Sequence, residues 1–224
     1  MADMDPVNPG PTAGQPNERN DSSCGVAFTD AVKTVQAQHG SRPMYSKLEA
    51  QGGWPSEITP DLADFLSRLD TFFLATANAA GQPYVQHRGG PRGFLKLTGP
   101  RTLAFADYAG NRQYITLGNL SENGQVMLFL IDFKTCTRIK VWGQARVIED
   151  DPELLIRLAD TSYRAKPERA IVIDISAWDA NCRQHIVPRV RRDEYQRHIA
   201  ELEARIAQLE AGHDWMMLFP PGLG

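Results

Sequence analysis

A β-hairpin is encoded in residues 72–88, which read FFLATANAAGQPYVQHR. The run 72–76 is short and apolar, as expected for a strand, and 78–81 supplies the residue types of a turn. Residues 83–88 then predict the return strand. Two strands so close in sequence indicate a sheet that is built from short connections.

Further strand and helix patterns extend outward on both sides of this hairpin. Short apolar runs predict strands at 94–97, 103–106, 125–131, 137–148 and 170–175. Helical spacing of apolar residues predicts helices at 28–38, from Thr59 onward and at 151–161. Six or seven strands joined mainly by short turns, with helices at the edges, predict a mainly-β antiparallel barrel rather than a βαβ fold.

Composition and missing motifs exclude several classes of protein. The chain has 224 residues and a net charge of -3, which argues against bulk-charge binding to nucleic acid. Its 3 cysteines form no CxxC pair and its 5 histidines show no zinc-binding spacing, so neither a disulfide framework nor a metal site is expected. No GxGxxG, P-loop or GxSxG motif is present, which disfavours the folds that depend on them. Without a signal-peptide pattern or a long apolar run, a cytoplasmic protein with no membrane contact is expected.

Polar and basic residues recur in and between the predicted strands. They are Gln86, His87, Arg88, Lys96, Arg138, Lys140 and the run 111–113. Each one alone is explained by a solvated sheet face. Together they supply about five positive groups on neighbouring strands, which suits an anionic small molecule such as a phosphate. The run 111–113 also precedes a predicted turn into a helix, whose backbone N–H groups would face a phosphate.

Three segments carry a resemblance to a known family. They read FLATANAAGQPYVQHRGGPRGFLK from Phe73, LAFADYAGNRQYITLGNL from Leu103 and RIKVWGQARVI from Arg138. In this order they resemble the pyridoxamine 5′-phosphate oxidase-related family, whose members are FMN-binding split β-barrels, over about residues 28–192. The stretch AWDANCRQHIVPR from Ala177 is similar to the C-terminal signature of a branch other than the true oxidase.

The resemblance implies FMN as the cofactor and suggests which residues hold its phosphate end. Arg88 and Lys96 resemble the two basic residues that open and close the first FMN-binding strand motif, although this chain has extra residues between them. The run 111–113 is similar to a Ser-Arg-Lys phosphate clamp. In this run Arg112 is retained and Gln113 replaces the lysine, which removes one charge and keeps a donor.

Other residues are implied to lie near the flavin ring or to come from a second subunit. Ala106 and Asp107 resemble a strand end whose backbone lies along the flavin. Arg138 stands where the family has a Gln near the ring, and a cation there would stabilise reduced, anionic flavin. Trp178, Gln184 and His185 resemble residues that reach the partner's flavin, while core or interface packing explains Trp178 nearly as well. The complete candidate cofactor site is Gln86, His87, Arg88, Lys96, Ala106, Asp107, Asn111, Arg112, Gln113, Arg138, Lys140, Trp178, Gln184 and His185.

The function implied by the resemblance is that of an FMN-dependent oxidoreductase, a homodimer with FMN at the subunit interface. The true oxidase grips its substrate phosphate with an Arg-x-His pattern, and residues 181–189 keep only fragments of it. A different small-molecule substrate is therefore expected, and no catalytic acid or base is assigned. Two alternatives stay open. One is a flavin-binding or flavin-sensing protein without turnover, and the other is a deazaflavin-dependent reductase on the same fold.

Both ends of the chain lie outside the resemblance. Residues 1–25 are rich in Pro, Gly, Asn and Asp and are expected to form a mobile tail, with the split-barrel domain and its N-terminal helices over 26–192. Residues 193–224 are predicted to hold an amphipathic helix and a short tail. Apolar residues in this helix step by four and three along a heptad seam: Tyr195, Ile199, Leu202, Ile206 and Leu209. This helix either lies on its own domain or pairs with another subunit.

Overall fold

The computed structural model describes residues 22–181 and 184–218, without the side chains of residue 181 and residues 212–218. A short 3-10 helix, Ser23–Val26, comes first in this part of the chain. The α-helices are α1 (Asp30–Gln38), α2 (Arg42–Ala50), α3 (Pro60–Arg68), α4 (Ile115–Glu122), α5 (Pro152–Leu158) and α6 (Arg192–Leu218). The strands are β1 (Thr71–Ala77), β2 (Pro83–Gly89), β3 (Lys96–Gly99), β4 (Thr102–Tyr108), β5 (Gln125–Asp132), β6 (Thr137–Ile148) and β7 (Pro167–Asn181).

The seven strands form one sheet in the order β2-β1-β5-β6-β7-β4-β3. The predicted hairpin is present, with Phe72 opposite Arg88 and Thr76 opposite Tyr84 in antiparallel register. The pairs β1–β5, β3–β4 and β4–β7 are antiparallel as well. The predicted fold class, a mainly-β antiparallel split barrel with flanking helices and a C-terminal helix, is confirmed.

Helix α3 begins where the sequence predicts. The Thr59 Oγ1 atom accepts a hydrogen bond from the backbone N–H of Leu62 at 3.3 Å, and Pro60 occupies the first turn. The apolar face of α3 buries Leu62, Phe65 and Leu66. This helix therefore closes one side of the core, and its start is determined by local capping.

The main core lies on the face of the sheet that carries Phe72 of β1 and Phe105 of β4. Their ring centroids are 5.3 Å apart in an edge-on contact, and Phe94 stacks on Phe72 at 5.4 Å. Ala104 and Ala106 point to the other face of β4, into a smaller cluster with Leu158 of α5. Strand β4 is thus buried on both faces, which holds the strand firmly in the fold.

The N-terminal region differs from the sequence-based expectation in two places. Helix α2 was not predicted, and none of its nine residues is buried, so no apolar stripe marks it. Residues 1–21 of the predicted tail lie outside the described residues. The chain joins the fold before residue 25, because Cys24 is buried and the Ser23 hydroxyl donates to the Trp54 carbonyl at 2.5 Å.

Strand boundaries also shift. Phe94 and Leu95 are buried as an apolar run should be, but strand β3 begins only at Lys96. Strand β7 is much longer than the predicted 170–175, because its charged start also pairs with β4 as far as Pro167. Apolar runs therefore mark buried segments better than they mark strand ends.

Contacts divide the chain into two units. The first comprises the described residues up to Leu130 together with Ile139–Asp179, and the second comprises Ile131–Arg138 and the described residues from Ala180 onward. The second unit contains α6, whose Glu194 carboxylate lies 2.7 Å from the Lys134 Nζ atom.

Among the described residues, no helix combines the length and the apolar character that crossing a membrane requires.

The close approach of β6 and β7 requires a glycine at position 143. A Cβ atom there would collide with the backbone oxygen of Asp174 on β7. We expect Gly143→Ala to lower the free energy of unfolding by about 1–3 kcal/mol, because rigid backbone cannot yield to the added methyl group. Urea denaturation followed by far-UV circular dichroism measures the change.

Gly118→Ala is the matched control, since a Cβ at this position of α4 meets nothing within 4 Å. This variant should be slightly more stable than the natural protein, by about 0.5–1 kcal/mol, because alanine is the better helix former. Equal stability of the two variants would contradict the packing of β6 against β7.

Candidate functional site: a cationic pocket

A pocket of about 250 Å³ lies where β2, the end of β4 and the start of α4 meet. It brings together six of the residues predicted from sequence: Gln86, Arg88, Asp107, Asn111, Arg112 and Gln113. Other residues complete its lining, chiefly Tyr84, Tyr114, Thr116, Glu168 and Arg169. Every one of these residues belongs to the first unit.

The two-residue alternation of β2 selects which of its side chains enter the pocket. Tyr84, Gln86 and Arg88 share one face of the strand and line the pocket. His87 points to the opposite face, where its Nε2 atom lies 2.5 Å from the Thr71 hydroxyl and its ring contacts Phe73. The sequence-predicted His87 is therefore not brought to the pocket.

A carboxylate between two guanidinium groups forms the floor of the pocket. Asp107 Oδ1 accepts from Arg88 at 2.5 Å, and its Oδ2 accepts from Arg169 at 3.1 Å. Both arginine side chains are 13% exposed, and that of Asp107 is 8% exposed. Burial opposes the charge of Arg169, but hydrogen bonds to Asp107 and Glu149 outweigh it and raise the pKa of the guanidinium above its ordinary value. The guanidinium of Arg169 is thus held charged.

One donor of this cluster has no partner. The Arg88 Nε atom is buried without a hydrogen bond, although the Nη1 atom donates to Asp107 and the guanidinium carbon lies 5.6 Å from the Phe105 ring centroid. Leaving such a donor unpaired is costly in a protein interior. The Nε atom of Arg88 is therefore an unsatisfied buried donor within this cluster.

The loop between β4 and α4 forms the rim of the pocket. The Asn111 side-chain oxygen accepts from the backbone N–H of Gln113 at 3.2 Å, and Arg112 has a left-handed backbone with φ of 59°. Tyr114, at the N-cap of α4, is also left-handed, and its side chain makes no capping hydrogen bond. The first backbone N–H groups of α4 therefore lack a side-chain cap, which favours an anion at this end of the helix.

Helix α4 is fixed in place by two side-chain hydrogen bonds to the sheet. The Thr116 hydroxyl donates to the Gln86 side chain at 2.7 Å, and the Asn119 amide donates to the Thr76 hydroxyl at 2.9 Å. Both Thr116 and Asn119 are buried. The start of α4 is therefore set rigidly against β2, so the rim and the floor of the pocket keep their spacing.

The charges of the pocket suit an anion. Three guanidinium groups, those of Arg88, Arg112 and Arg169, face two carboxylates, those of Asp107 and Glu168. The Glu149 carboxylate, which lies 3.0 Å from the Arg169 Nε atom, balances Arg169 further, and Arg112 on the exposed rim is the pocket arginine that forms no ion pair among the described residues. Guanidinium donors and helical N–H groups that converge on one point are the donor set that binds phosphate.

The remaining predicted residues of the first unit lie elsewhere. Lys96 donates to the Arg157 carbonyl at 2.7 Å, at the end of α5. Ala106 is buried in the small cluster on the far face of β4. Lys140 lies 3.4 Å from Asp179. The Trp178 indole donates to the Glu57 carbonyl at 2.8 Å. These contacts do not test whether the residues reach a bound cofactor.

Three predicted residues belong to the second unit, namely Arg138, Gln184 and His185. Both Gln184 and His185 are exposed, and His185 has a left-handed backbone with φ of 65°. Their role towards a cofactor stays a prediction. Cys182 and Arg183, which carry part of the resemblance, lie outside the described residues.

Sequence reasoning missed Arg169 and Thr116. Arg169 is opposite Asp107 in the β4–β7 register, but the predicted last strand began one residue later, at 170. Only strand pairing reveals this arginine, since every other pocket residue except its neighbour Glu168 is distant from it in sequence. Thr116 had a local signal, because it follows the predicted phosphate loop in the first turn of α4.

The fold and the pocket together define a split-barrel protein with a pocket lined by three arginines. The model of the family described as pyridoxamine 5′-phosphate oxidase matches residues 58–182. The chain therefore belongs to this family, and the family recognised by resemblance is confirmed. No curated protein matches the sequence.

Several solved structures are similar to the chain at low identity. HupZ of Group A Streptococcus is 18% identical, with a TM-score of 0.46, over 59% of this chain and 99% of that one. The putative pyridoxamine 5′-phosphate oxidase of Lactobacillus delbrueckii is 23% identical, with a TM-score of 0.43, over 56% of this chain and 95% of that one. An FMN-binding protein of Syntrophomonas wolfei is 13% identical, with a TM-score of 0.44, over 68% of this chain and 96% of that one. At these TM-scores the likenesses carry no argument about this chain.

Asp107 should be essential for stability unless an anion replaces it. We expect Asp107→Asn to lower the free energy of unfolding by about 3 kcal/mol, because two buried guanidinium groups lose their shared counter-charge. Inorganic phosphate at constant ionic strength should restore much of this loss and should stabilise the natural protein less. Urea denaturation with and without phosphate measures both effects.

Asp64→Asn serves as the control, because Asp64 pairs with Arg68 on the exposed surface of α3. Its effect should stay below about 1 kcal/mol, with no special response to phosphate. If phosphate stabilises Asp107→Asn no more than it stabilises the natural protein, the pocket is not an anion site.

Proposed function

We propose that this protein binds FMN, with the phosphate of the cofactor in the pocket formed by β2, β4 and α4. The observation that carries the proposal is the convergence of Arg88, Arg112 and Arg169 with the uncapped start of α4. Membership of the pyridoxamine 5′-phosphate oxidase family supports flavin binding.

The size of the pocket supports a site shared between subunits. Pockets that bury a whole cofactor-sized ligand measure about 300–1,000 Å³, and the present one measures about 250 Å³. It accommodates the phosphate end, so the flavin ring must extend beyond it. We propose a homodimer in which the second subunit covers the ring, with Trp178, Gln184 and His185 as the residues that reach across.

Each protein group has a definite task in this proposal. Arg112 binds two phosphate oxygens through its planar guanidinium, with Asn111 and Gln113 as neutral donors beside it. Arg88 and Arg169 supply positive charge at the floor of the pocket, and Asp107 compensates part of this charge when no phosphate is bound. Arg138, on β6, is the residue proposed to stabilise negative charge on the reduced ring.

The flavin supplies hydride-transfer chemistry when bound, and the protein is proposed to act as an FMN-dependent oxidoreductase. Its substrate is a small molecule other than pyridoxamine 5′-phosphate, because residues 181–189 lack the full substrate-gripping pattern of the true oxidase. The contribution of the chain is to orient the flavin, to adjust its electronics and to exclude competing reactions.

The first test concerns Arg112. Loss of a charge-assisted, bidentate contact costs about 1.5–3 kcal/mol, so Arg112→Ala should weaken FMN binding by about tenfold to more than a hundredfold. Arg112→Lys should recover only part of this affinity, since a point charge cannot form the paired hydrogen bonds. Titration followed by quenching of flavin fluorescence gives the dissociation constants.

Riboflavin lacks the phosphate, so its weaker binding should be the same in Arg112→Ala as in the natural protein. Arg68→Ala is the matched control, because Arg68 lies on the exposed face of α3 in a local pair with Asp64. Unchanged FMN affinity in Arg112→Ala, or equal losses for FMN and riboflavin, would overturn the phosphate assignment.

A second test separates an enzyme from a binding protein. In stopped-flow mixing, FMN bound to an oxidoreductase should be reduced by NADH or NADPH and reoxidised rapidly by an acceptor. A flavin that no donor reduces at a useful rate would assign the protein to flavin binding or sensing without turnover. Preferential binding of a deazaflavin over FMN in parallel titrations would assign it to the deazaflavin-dependent reductases.

A further inference from the structure

The C-terminal helix α6 carries an apolar seam that faces solvent. Four of its members are large and exposed: Tyr195 at 59%, Leu202 at 47%, Ile206 at 54% and Leu209 at 58%. The fifth, Ile199, is half-buried. A row of such side chains along one stripe of a helix is unfavourable in water, which indicates a surface that another helix covers.

The apolar residues themselves indicate what kind of partner fits. In heptad terms, Ile199 and Ile206 occupy a positions, and Tyr195, Leu202 and Leu209 occupy d positions. β-branched residues at a with leucine at d favour two parallel strands. The seam therefore matches the geometry of a second, identical helix that runs in the same direction.

Charges beside the seam distinguish parallel from antiparallel pairing. His198 and Arg205 lie on one flank, at g positions, while Glu203 and Glu210 lie on the other, at e positions. A parallel pair places Arg205 of one copy against Glu210 of the other, so opposite charges meet. An antiparallel pair would place glutamates against glutamates and would leave Arg205 without an opposite charge. Charge complementarity therefore favours the parallel arrangement of two copies.

The start of α6 is anchored within the second unit, which leaves the seam free along most of its length. Lys134 pairs with Glu194 at 2.7 Å, and the Arg189 guanidinium lies 4.6 Å from the Phe133 ring centroid. Asp193, in the first turn, has its pKa lowered by a hydrogen bond from Arg191 and keeps a negative charge where the helix dipole favours it. These contacts hold the first turn, while residues 200–211 are exposed.

We propose that α6 forms a parallel two-stranded coiled coil with α6 of a second copy of this chain, along the seam from Tyr195 to Leu209. Two such helices would align their first turns and their C-terminal ends. The proposal does not rest on flavin binding, because neither the seam nor its flanking charges belong to the pocket.

Disulfide trapping tests the pairing in the full-length protein. In a parallel coil, Leu209 faces Leu209 of the other copy, so Leu209→Cys should cross-link to itself under mild oxidation. Ala211→Cys is the matched control, since it lies two residues away on the outer face of the same helix. We expect the Leu209→Cys dimer to form at least about tenfold faster, because pairing raises the local thiol concentration.

The direction of pairing needs a third variant. An antiparallel pair centred on Leu202 would bring Leu209 against Tyr195, so a mixture of Leu209→Cys and Tyr195→Cys proteins would cross-link preferentially with each other. That result would overturn the proposal, as would equal rates for Leu209→Cys and Ala211→Cys. The cysteines of the natural chain are present in every variant, and the natural protein supplies the background rate. The measurement needs no flavin, so its failure leaves the proposed flavin site untouched.

Discussion

Burial of β4 on both faces is the constraint from which the architecture of the pocket follows. Leu103 and Phe105 point into the main core, and Ala104 and Ala106 point into the smaller cluster beneath α5. The strand then continues to Asp107, which is still buried. A carboxylate at such a depth requires compensating charge, so other strands must supply cations at this level. Arg88 on β2 and Arg169 on β7 meet that requirement.

This compensation has a functional side. Asp107 pairs with both arginines, and Glu149 and Glu168 add further carboxylates beside Arg169, so the floor is stabilised without an external ligand. The same carboxylates lower the attraction of the floor for an anion, so net positive charge is concentrated at Arg112 on the exposed rim. A site built this way holds its donors in place before a ligand arrives, and preorganised donors lose little entropy on binding.

The two units contribute different things. The first carries the sheet, its clusters and the cationic pocket, and the second carries α6 with its heptad seam. Anion binding depends on groups brought together by strand pairing. The seam depends on one helix alone, and its periodicity, core residue types and flanking charges can all be counted along the chain. The proposed association through α6 and the proposed ligand binding in the pocket therefore depend on different parts of the chain.

Local signals in the sequence determined much of this protein. Turn residues and apolar runs determined the β1–β2 hairpin, and Thr59 and Pro60 determined the start of α3. Apolar residues spaced by four and three positions determined α6. Each of these signals acts over a few neighbouring residues. The run 111–113 likewise predicted a turn into a helix, which is the start of α4. Tertiary structure alone decided that His87 points away from Arg88 and that Lys96 donates a hydrogen bond to the end of α5. It also decided that Arg169 forms an ion pair with Asp107. These outcomes depend on strand register and on which element covers each face, and contacts between residues distant in the chain determine both.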